Sequence, residues 1–379
     1  MLISMKIILP INRKRLVATF LDLININSPS FGETALGDHL AELFHGLGCR
    51  VTRQRYDRSF NIIAYRKGGL KRVAPLMLSC HMDTIEPTEG IRYAVKGGII
   101  RSTGNTVLGA DDKSAIAQII EAMTVLQERG IAHGDIEIVF TSAEEKGLHG
   151  AKNLDFKKIR SKHALVLDSG GPVGKIVVAA PTQITYEMRI TGRPAHAGIE
   201  PEKGISAIRV ASEIIASVPD GRIDAVTTAN IGVIRGGTAT NVVPREVVIN
   251  GEVRSHDPAT LRVTQSAIFD KAKGIAKKKD AKVHIKAQEE YQGFSISERE
   301  PFLAFMGEVC IKAGMTPEYT VTGGGSDANI FNQHGIITLN LSTGMQKVHS
   351  HDEFIPIDDL VNGSLVVAVA IRDFAEFKE

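Results

Sequence analysis

Apolar residues in the first half of the chain follow two alternating rhythms. Over 11–27 and again over 33–47 they recur at helical spacing; the first run is broken by Ser28-Pro29-Ser30 and the second is stopped by Gly48. Short runs at 61–65, 75–80, 136–141 and 164–167 are instead continuous and rich in aliphatic side chains, the pattern of strands covered on both faces. Between two of these, Ile116, Ile119, Ile120 and Met123 return to helical spacing until Gly130 ends the helix. This alternation predicts an α/β fold with a mainly parallel sheet.

From 182 to 294 the rhythm changes. Ile184, Tyr186, Met188 and Ile190 alternate with Thr185, Glu187, Arg189 and Thr191, which predicts a sheet with one face in water. A helix with Ile208, Ala211, Ile215 and Val218 on its apolar side follows. Then come strands near 229–234 and 247–253, a helix marked by Leu261, Ile268 and Ile275, and a strand through Val283 and Ile285. The order β-α-β-β-α-β is ferredoxin-like and complete within this segment. The chain is therefore read as one domain of 1–181 and 295–379, resuming with a helix over 301–313, into which an α+β domain of 182–294 is inserted.

Composition narrows the partners. Of 379 residues, 43% are hydrophobic and 23% charged, and the formal net charge is only +2, so nothing points to nucleic acid. The lysine-rich stretch from Lys271 to Lys286, its charges interleaved with Ile268 and Ile275, reads as a solvated helix face. Cys49, Cys80 and Cys310 are few, odd in number and widely spaced, which argues for a reducing compartment. The N-terminal run MLISMKIILPINRKR is interrupted by Lys6 and Pro10 and reads as no signal peptide. No stretch approaches the ~20 apolar residues of a spanning helix. These features predict a cytoplasmic protein with a small-molecule partner and no membrane association.

The candidate chemistry sits where the predicted strands end. His81-Met82-Asp83 follows the strand at 75–80, Glu144-Glu145 follows 136–141, and Asp168 ends 164–167. Asp111-Asp112 follows Gly109-Ala110 at the head of a helix, and His349 and His351 lie near the C-terminus. Distant acids and imidazoles converging on one rim of a sheet form the donor set of a two-metal hydrolase. Asp111, on a tight turn, can give one oxygen to each of two ions, whereas Asp112 reads as a helix-capping residue. A metal-bound imidazole needs its other nitrogen held, and Asp83 suits that task better than ligation. Of the adjacent glutamates one can coordinate while the other handles the proton of water. Spacing alone leaves His349 and His351 as alternatives. Cys80, turned away from His81 by strand alternation, is read as a core residue.

The motifs His81-Met82-Asp83-Thr84, Gly109-Ala110-Asp111-Asp112-Lys113, Glu144-Glu145-Lys146-Gly147, Asp168-Ser169-Gly170-Gly171 and Gly192-Arg193-Pro194-Ala195-His196-Ala197-Gly198 run through nearly the whole chain. In them the sequence resembles the zinc-dependent exopeptidase and deacylase family of peptidase T, carboxypeptidase G and succinyl-diaminopimelate desuccinylase. It is most similar to the peptidase T-like aminotripeptidases. The resemblance implies a metallopeptidase catalytic domain with an inserted lid and dimerisation domain, and two Zn2+ per chain. His81, Asp111 and Asp168 would hold one ion; Asp111, Glu145 and His349 would hold the other. His349 is preferred over His351 because the family's last ligand precedes a glutamate by four positions, here Glu353. Glu144 would be the general base and Asp83 the residue orienting His81. His196 would stabilise the oxyanion, while Asn241, Arg254 and the loop with Gly324 and Gly325 would contact substrate. Mixed carboxylate and imidazole ligands also accept Co2+ or Mn2+.

The expected activity is removal of residues from the N-terminus of short peptides, with a homodimer through the lid. An N-acyl amino-acid deacylase or carboxypeptidase on the same site is the alternative, and a non-catalytic binding protein a more distant one.

Overall fold

The computed structural model describes residues 9–378. The first eight residues, which carry most of the run read above as no signal peptide, lie outside the described residues. Contacts divide the described residues into two compact units, one of residues 9–178, 295–321 and 326–378 and the other of 179–294 and 322–325. Each has its own hydrophobic core.

In the first unit the predicted strands are found at Ser59–Arg66, Leu76–His81, Ile136–Thr141 and His163–Ser169, and the predicted helices at Arg13–Ile24, Thr34–Gly46 and Ala110–Glu128. The sheet is mixed. Ile136–Thr141, Leu76–His81, His163–Ser169 and Ile337–Ser342 lie side by side and parallel at its centre. Arg50–Tyr56 and Ser59–Arg66 add to one margin and Lys175–Ala180 to the other, all antiparallel. Only two residues join Arg50–Tyr56 to Ser59–Arg66, and a connection that short permits only antiparallel pairing.

The helix Ala110–Glu128 is buried on nearly every side, between the central strands and the helices Arg13–Ile24 and Ile357–Asp373. The buried carboxylate of Glu121 accepts from Arg15 Nε at 2.7 Å and Nη2 at 2.9 Å, and from the Asn12 N–H at 2.7 Å. A carboxylate so enclosed needs these donors, and they tie the first helix to the central one.

The second unit is an antiparallel five-stranded sheet in the order Gly221–Arg222, Thr227–Gly236, Glu246–Ser255, Thr182–Thr191, Lys282–Tyr291, with the helices Ala207–Ser217 and Pro258–Lys278. Ile184, Tyr186, Met188 and Ile190 are buried in its core as the alternation required. The helix Ala207–Ser217 departs from expectation. It buries Ala207, Val210, Ala211 and Ile214, leaving Ile208 exposed and Ile215 at the margin. Ala211 and Val218 lie in the core as expected, whereas Ala207, Val210 and Ile214 take the places given to Ile208 and Ile215, because the apolar residues span more than one stripe. No helix among the described residues is long and apolar enough to cross a membrane.

Candidate metal centre

Three neighbouring parallel strands, Ile136–Thr141, Leu76–His81 and His163–Ser169, end at the same edge of the sheet because parallel strands share a direction. His81 closes one, Glu144 and Glu145 follow another, and Asp168 is the penultimate residue of the third. That is where open α/β sheets gather ligands. Asp111 reaches the same edge from the head of the Ala110–Glu128 helix, where Gly109 takes a left-handed φ of 76° and starts the turn. A cis peptide bond joins Asp111 to Asp112.

Asp111 lies between two imidazoles. Its Oδ1 is 3.1 Å from His81 Nε2, and its Oδ2 is 3.1 Å from His349 Nε2. His349 Nε2 is also 2.8 Å from Glu145 Oε1, and His81 Nε2 is 3.8 Å from Asp168 Oδ1. The side chains of His81, Asp111 and Asp168 thus form one candidate cation site, and those of Asp111, Glu145 and His349 a second that shares Asp111. His81, Glu144 and Glu145 also bring donor atoms together.

The electrostatics of these residues fit cations. Burial pushes the Glu144 and Asp168 carboxyls well above the usual carboxylate range, and each is raised further by neighbouring acids. Burial alone would lower His81, but Asp111 and Asp83 outweigh it and raise it well above the usual imidazole range. His349 is raised to about 10 by Asp111 and then Glu145. Two imidazoles that hold protons this firmly sit in a field that favours positive charge, and a divalent ion can take the place of those protons.

The surrounding contacts are specific. His81 Nδ1 lies 2.8 Å from the Asp83 carbonyl oxygen and 3.5 Å from its carboxylate, so both the backbone and the side chain of Asp83 face the ring. That carboxylate also accepts from the Glu144 N–H at 2.9 Å, the Glu145 N–H at 3.2 Å and Ser30 Oγ at 2.7 Å. One acid therefore positions His81 and the glutamate pair together. Asp112, expected as a capping residue, instead accepts the backbone N–H of His81 at 3.3 Å from a fully buried position. Ala143 and His349 have positive φ values of 50° and 61°, which side-chain-bearing residues adopt only where the surroundings hold them. Cys80 is buried in the core as expected.

Several residues of this region were assigned no role from the sequence. Glu33, buried, accepts the Ala143 N–H at 2.8 Å. Asn340 anchors the backbone of Asp168. Asp327 is buried beside Thr141, and burial raises its carboxyl to about 6. Glu353, noticed only for its spacing from His349, accepts three backbone N–H groups around Asp111.

The remaining expected residues, His196, Asn241, Arg254, Gly324 and Gly325, lie in the second unit, in two groups. His196 forms a β-bridge with Val242, and the Ala197 N–H donates to the Asn241 carbonyl at 2.9 Å, so the His196 and Asn241 loops run together. Both residues are exposed. Arg254 donates from Nε at 2.9 Å and Nη2 at 3.1 Å to Glu252, and from Nη1 to the Gly323 carbonyl at 3.2 Å. Its guanidinium is already matched to a carboxylate, with one nitrogen turned to the glycine loop. In that loop a Cβ on Gly325 would lie 2.2 Å from the Tyr291 ring, so only glycine fits there.

Comparison with known proteins agrees with this geometry. Residues 77–373 match the model of peptidase family M20/M25/M40. The uncharacterized protein YqjE of Bacillus subtilis (strain 168) is 39% identical over 376 residues, covering 97% of this chain and 100% of its own length. The crystal structure of a tripeptidase from Staphylococcus aureus superposes with a TM-score of 0.92 at 35% identity, covering 97% of this chain and 99% of that one. That of the aminopeptidase PepT from Bacillus cereus ATCC 10987 gives 0.88 at 38% identity, covering 96% and 99%. The chain belongs to peptidase family M20/M25/M40.

Proposed function

We propose that the protein is a dinuclear metal-dependent aminopeptidase that removes N-terminal residues from short peptides, tripeptides in particular. The observation that carries the proposal is the division of the Asp111 carboxylate between His81 and His349, with Asp168 and Glu145 completing two donor sets. The names of the Staphylococcus aureus tripeptidase and the Bacillus cereus aminopeptidase support the substrate class. Zn2+ is the proposed metal, with Co2+ or Mn2+ as substitutes.

His81, Asp111 and Asp168 would hold one ion, and Asp111, Glu145 and His349 the other. Bound there, the pair supplies Lewis acidity at the scissile carbonyl and lowers the pKa of water toward ~7. The Glu144 carboxylate takes a proton from the attacking water as its oxygen bonds to the carbonyl carbon. It returns the proton to the amine nitrogen as the C–N bond breaks. Asp83 fixes the Glu144 backbone and the His81 ring, so base and ligand keep their spacing. His196 donates to the developing oxyanion, a role that rests on the resemblance of its segment. Asn241, Arg254, Gly324 and Gly325 are proposed substrate contacts on the same ground.

A homodimer through the second unit is proposed as well; light scattering in solution tests it. The cytoplasm is the proposed location, and the three free, buried cysteines fit a reducing compartment. The function itself is tested with a panel of tripeptides, dipeptides and N-acyl amino acids, with and without chelator. Metal-dependent cleavage of unblocked tripeptides is expected. Hydrolysis confined to N-acyl substrates would reject the aminopeptidase reading in favour of a deacylase.

A further inference from the structure

One carboxylate supports the turn that carries Asp111. Glu353 Oε2 accepts the N–H groups of Leu108 at 2.6 Å and Gly109 at 2.8 Å, and Oε1 accepts that of Asp111 at 3.0 Å. These donors lie at the head of the Ala110–Glu128 helix, whose N-cap, Gly109, has no side chain to satisfy them. The first N–H groups of a helix have no partner within it and must find one elsewhere. Here the partner comes from more than two hundred residues away in the sequence, and it is buried.

Glu353 is equally fixed to the segment of His349. It lies four residues beyond that histidine; its N–H donates to the Ser350 carbonyl at 3.2 Å, and its carbonyl accepts the Ser102 N–H at 3.3 Å. The strand that follows, Phe354–Pro356, pairs with Ile99–Ser102. A single residue therefore joins the turn presenting Asp111 to the loop presenting His349, and the Asp111 Oδ2 to His349 Nε2 separation of 3.1 Å spans that junction.

We infer that Glu353 is a positioning residue that sets the distance between Asp111 and His349, and so the affinity for the cation held by Asp111, Glu145 and His349. This rests on the dinuclear reading given above. The two oxygens of the carboxylate receive N–H groups from opposite ends of the turn. A glutamine keeps the shape but places an NH2 donor against one of those ends.

The test is a titration of Zn2+ and Co2+ against a competing chelator, on the metal-free full chain and its variants, with the Co2+ visible spectrum as a second readout. His349→Ala identifies the binding step that belongs to this ion. Glu353→Gln is expected to weaken that step by ~10–100-fold, the scale usual for residues that hold a metal ligand in place, and to weaken the other step less. Added to His349→Ala, it should change the remaining step little. Glu353→Asp, which keeps the charge and shortens the reach, is expected to give an intermediate loss and provides the measurement if Glu353→Gln does not fold. Equal weakening of both steps, or unchanged binding in a folded variant, overturns the inference. A parent protein that binds fewer than two ions overturns the dinuclear reading instead.

Discussion

Asn340 holds Asp168 by both of its backbone polar groups: Oδ1 accepts the Asp168 N–H at 3.0 Å, and Nδ2 donates to the Asp168 carbonyl at 3.0 Å. The ladder between Ile337–Ser342 and His163–Ser169 shifts register between Asn340 and Ser342, so a side-chain amide replaces the missing backbone partner there. Asn340→Ala would remove the partner of two part-buried peptide groups, at up to ~1–3 kcal/mol for each. We expect a lower melting temperature and weaker binding of the ion held by His81, Asp111 and Asp168. Thermal denaturation and metal titration check this, and an unchanged variant would remove Asn340 from the account.

Sharing of Asp111 makes the metal count diagnostic. Asp111→Ala should release both ions, whereas His349→Ala should keep about one per chain, because only one of two donor sets is broken. Elemental analysis after supplementation and desalting gives the answer. Equal metal content in the two variants would contradict a shared carboxylate.

Glu144→Gln separates chemistry from binding. The variant should retain its metal and lose ~10²–10⁴-fold in kcat, the usual contribution of a positioned base. Turnover near that of the parent would assign proton transfer to another group.

Chelation should destabilise the fold, since a ligand bound only by the native state at 100 times its dissociation constant adds ~2.7 kcal/mol. In the metal-free protein, Asp111 and Glu145 raise His349 to about 10. A group whose folded pKa is raised stabilises fully below its unfolded value, ~6.5 for histidine, and that contribution is lost as pH rises toward the folded value. The melting temperature of the metal-free parent should therefore fall from pH ~6.5 toward about 10 more steeply than that of His349→Ala. Parallel curves would count against the pairing.

The cysteines offer a test independent of metal. Cys49, Cys80 and Cys310 are buried, and burial raises all three thiols, Cys49 and Cys310 to about 11. Ellman's reagent should react with none of them in the native protein at pH 8 and with all of them after unfolding. A reactive thiol before unfolding would locate an opening in the core.

His81, Asp111, Glu145 and Asp168 stood out in the sequence as candidate ligands because each follows a buried strand or a helix-opening turn, and neighbouring parallel strands must deliver their ends to one edge; His349 was separated from His351 only by the family resemblance. The residues that hold these ligands did not stand out. Asn340 is one of the alternating polar residues of Ile337–Ser342, with Thr338 and Ser342, and nothing in that alternation singles it out; its partner is fixed only by a register shift between strands far apart in sequence. Asp112 read as a capping residue because acids favour the first turn, yet its carboxylate turned to the His81 backbone. The antiparallel margins of the sheet escaped the expectation of a mainly parallel one because burial patterns report which faces are covered and not which way a neighbouring strand runs.

Where the chain first leaves the unit with the candidate metal centre and returns to it, a hydrogen bond closes the gap, the Ile296 N–H donating to the Val178 carbonyl at 2.7 Å; it leaves a second time, briefly, at 322–325. Within the inserted unit the two ends are likewise pinned, Gly293 N–H to Thr182 Oγ1 at 2.8 Å. The long excursion is thus closed at its roots, yet its unit is completed by four residues returned from 322–325, so any exchange of this module among relatives must carry both segments of chain.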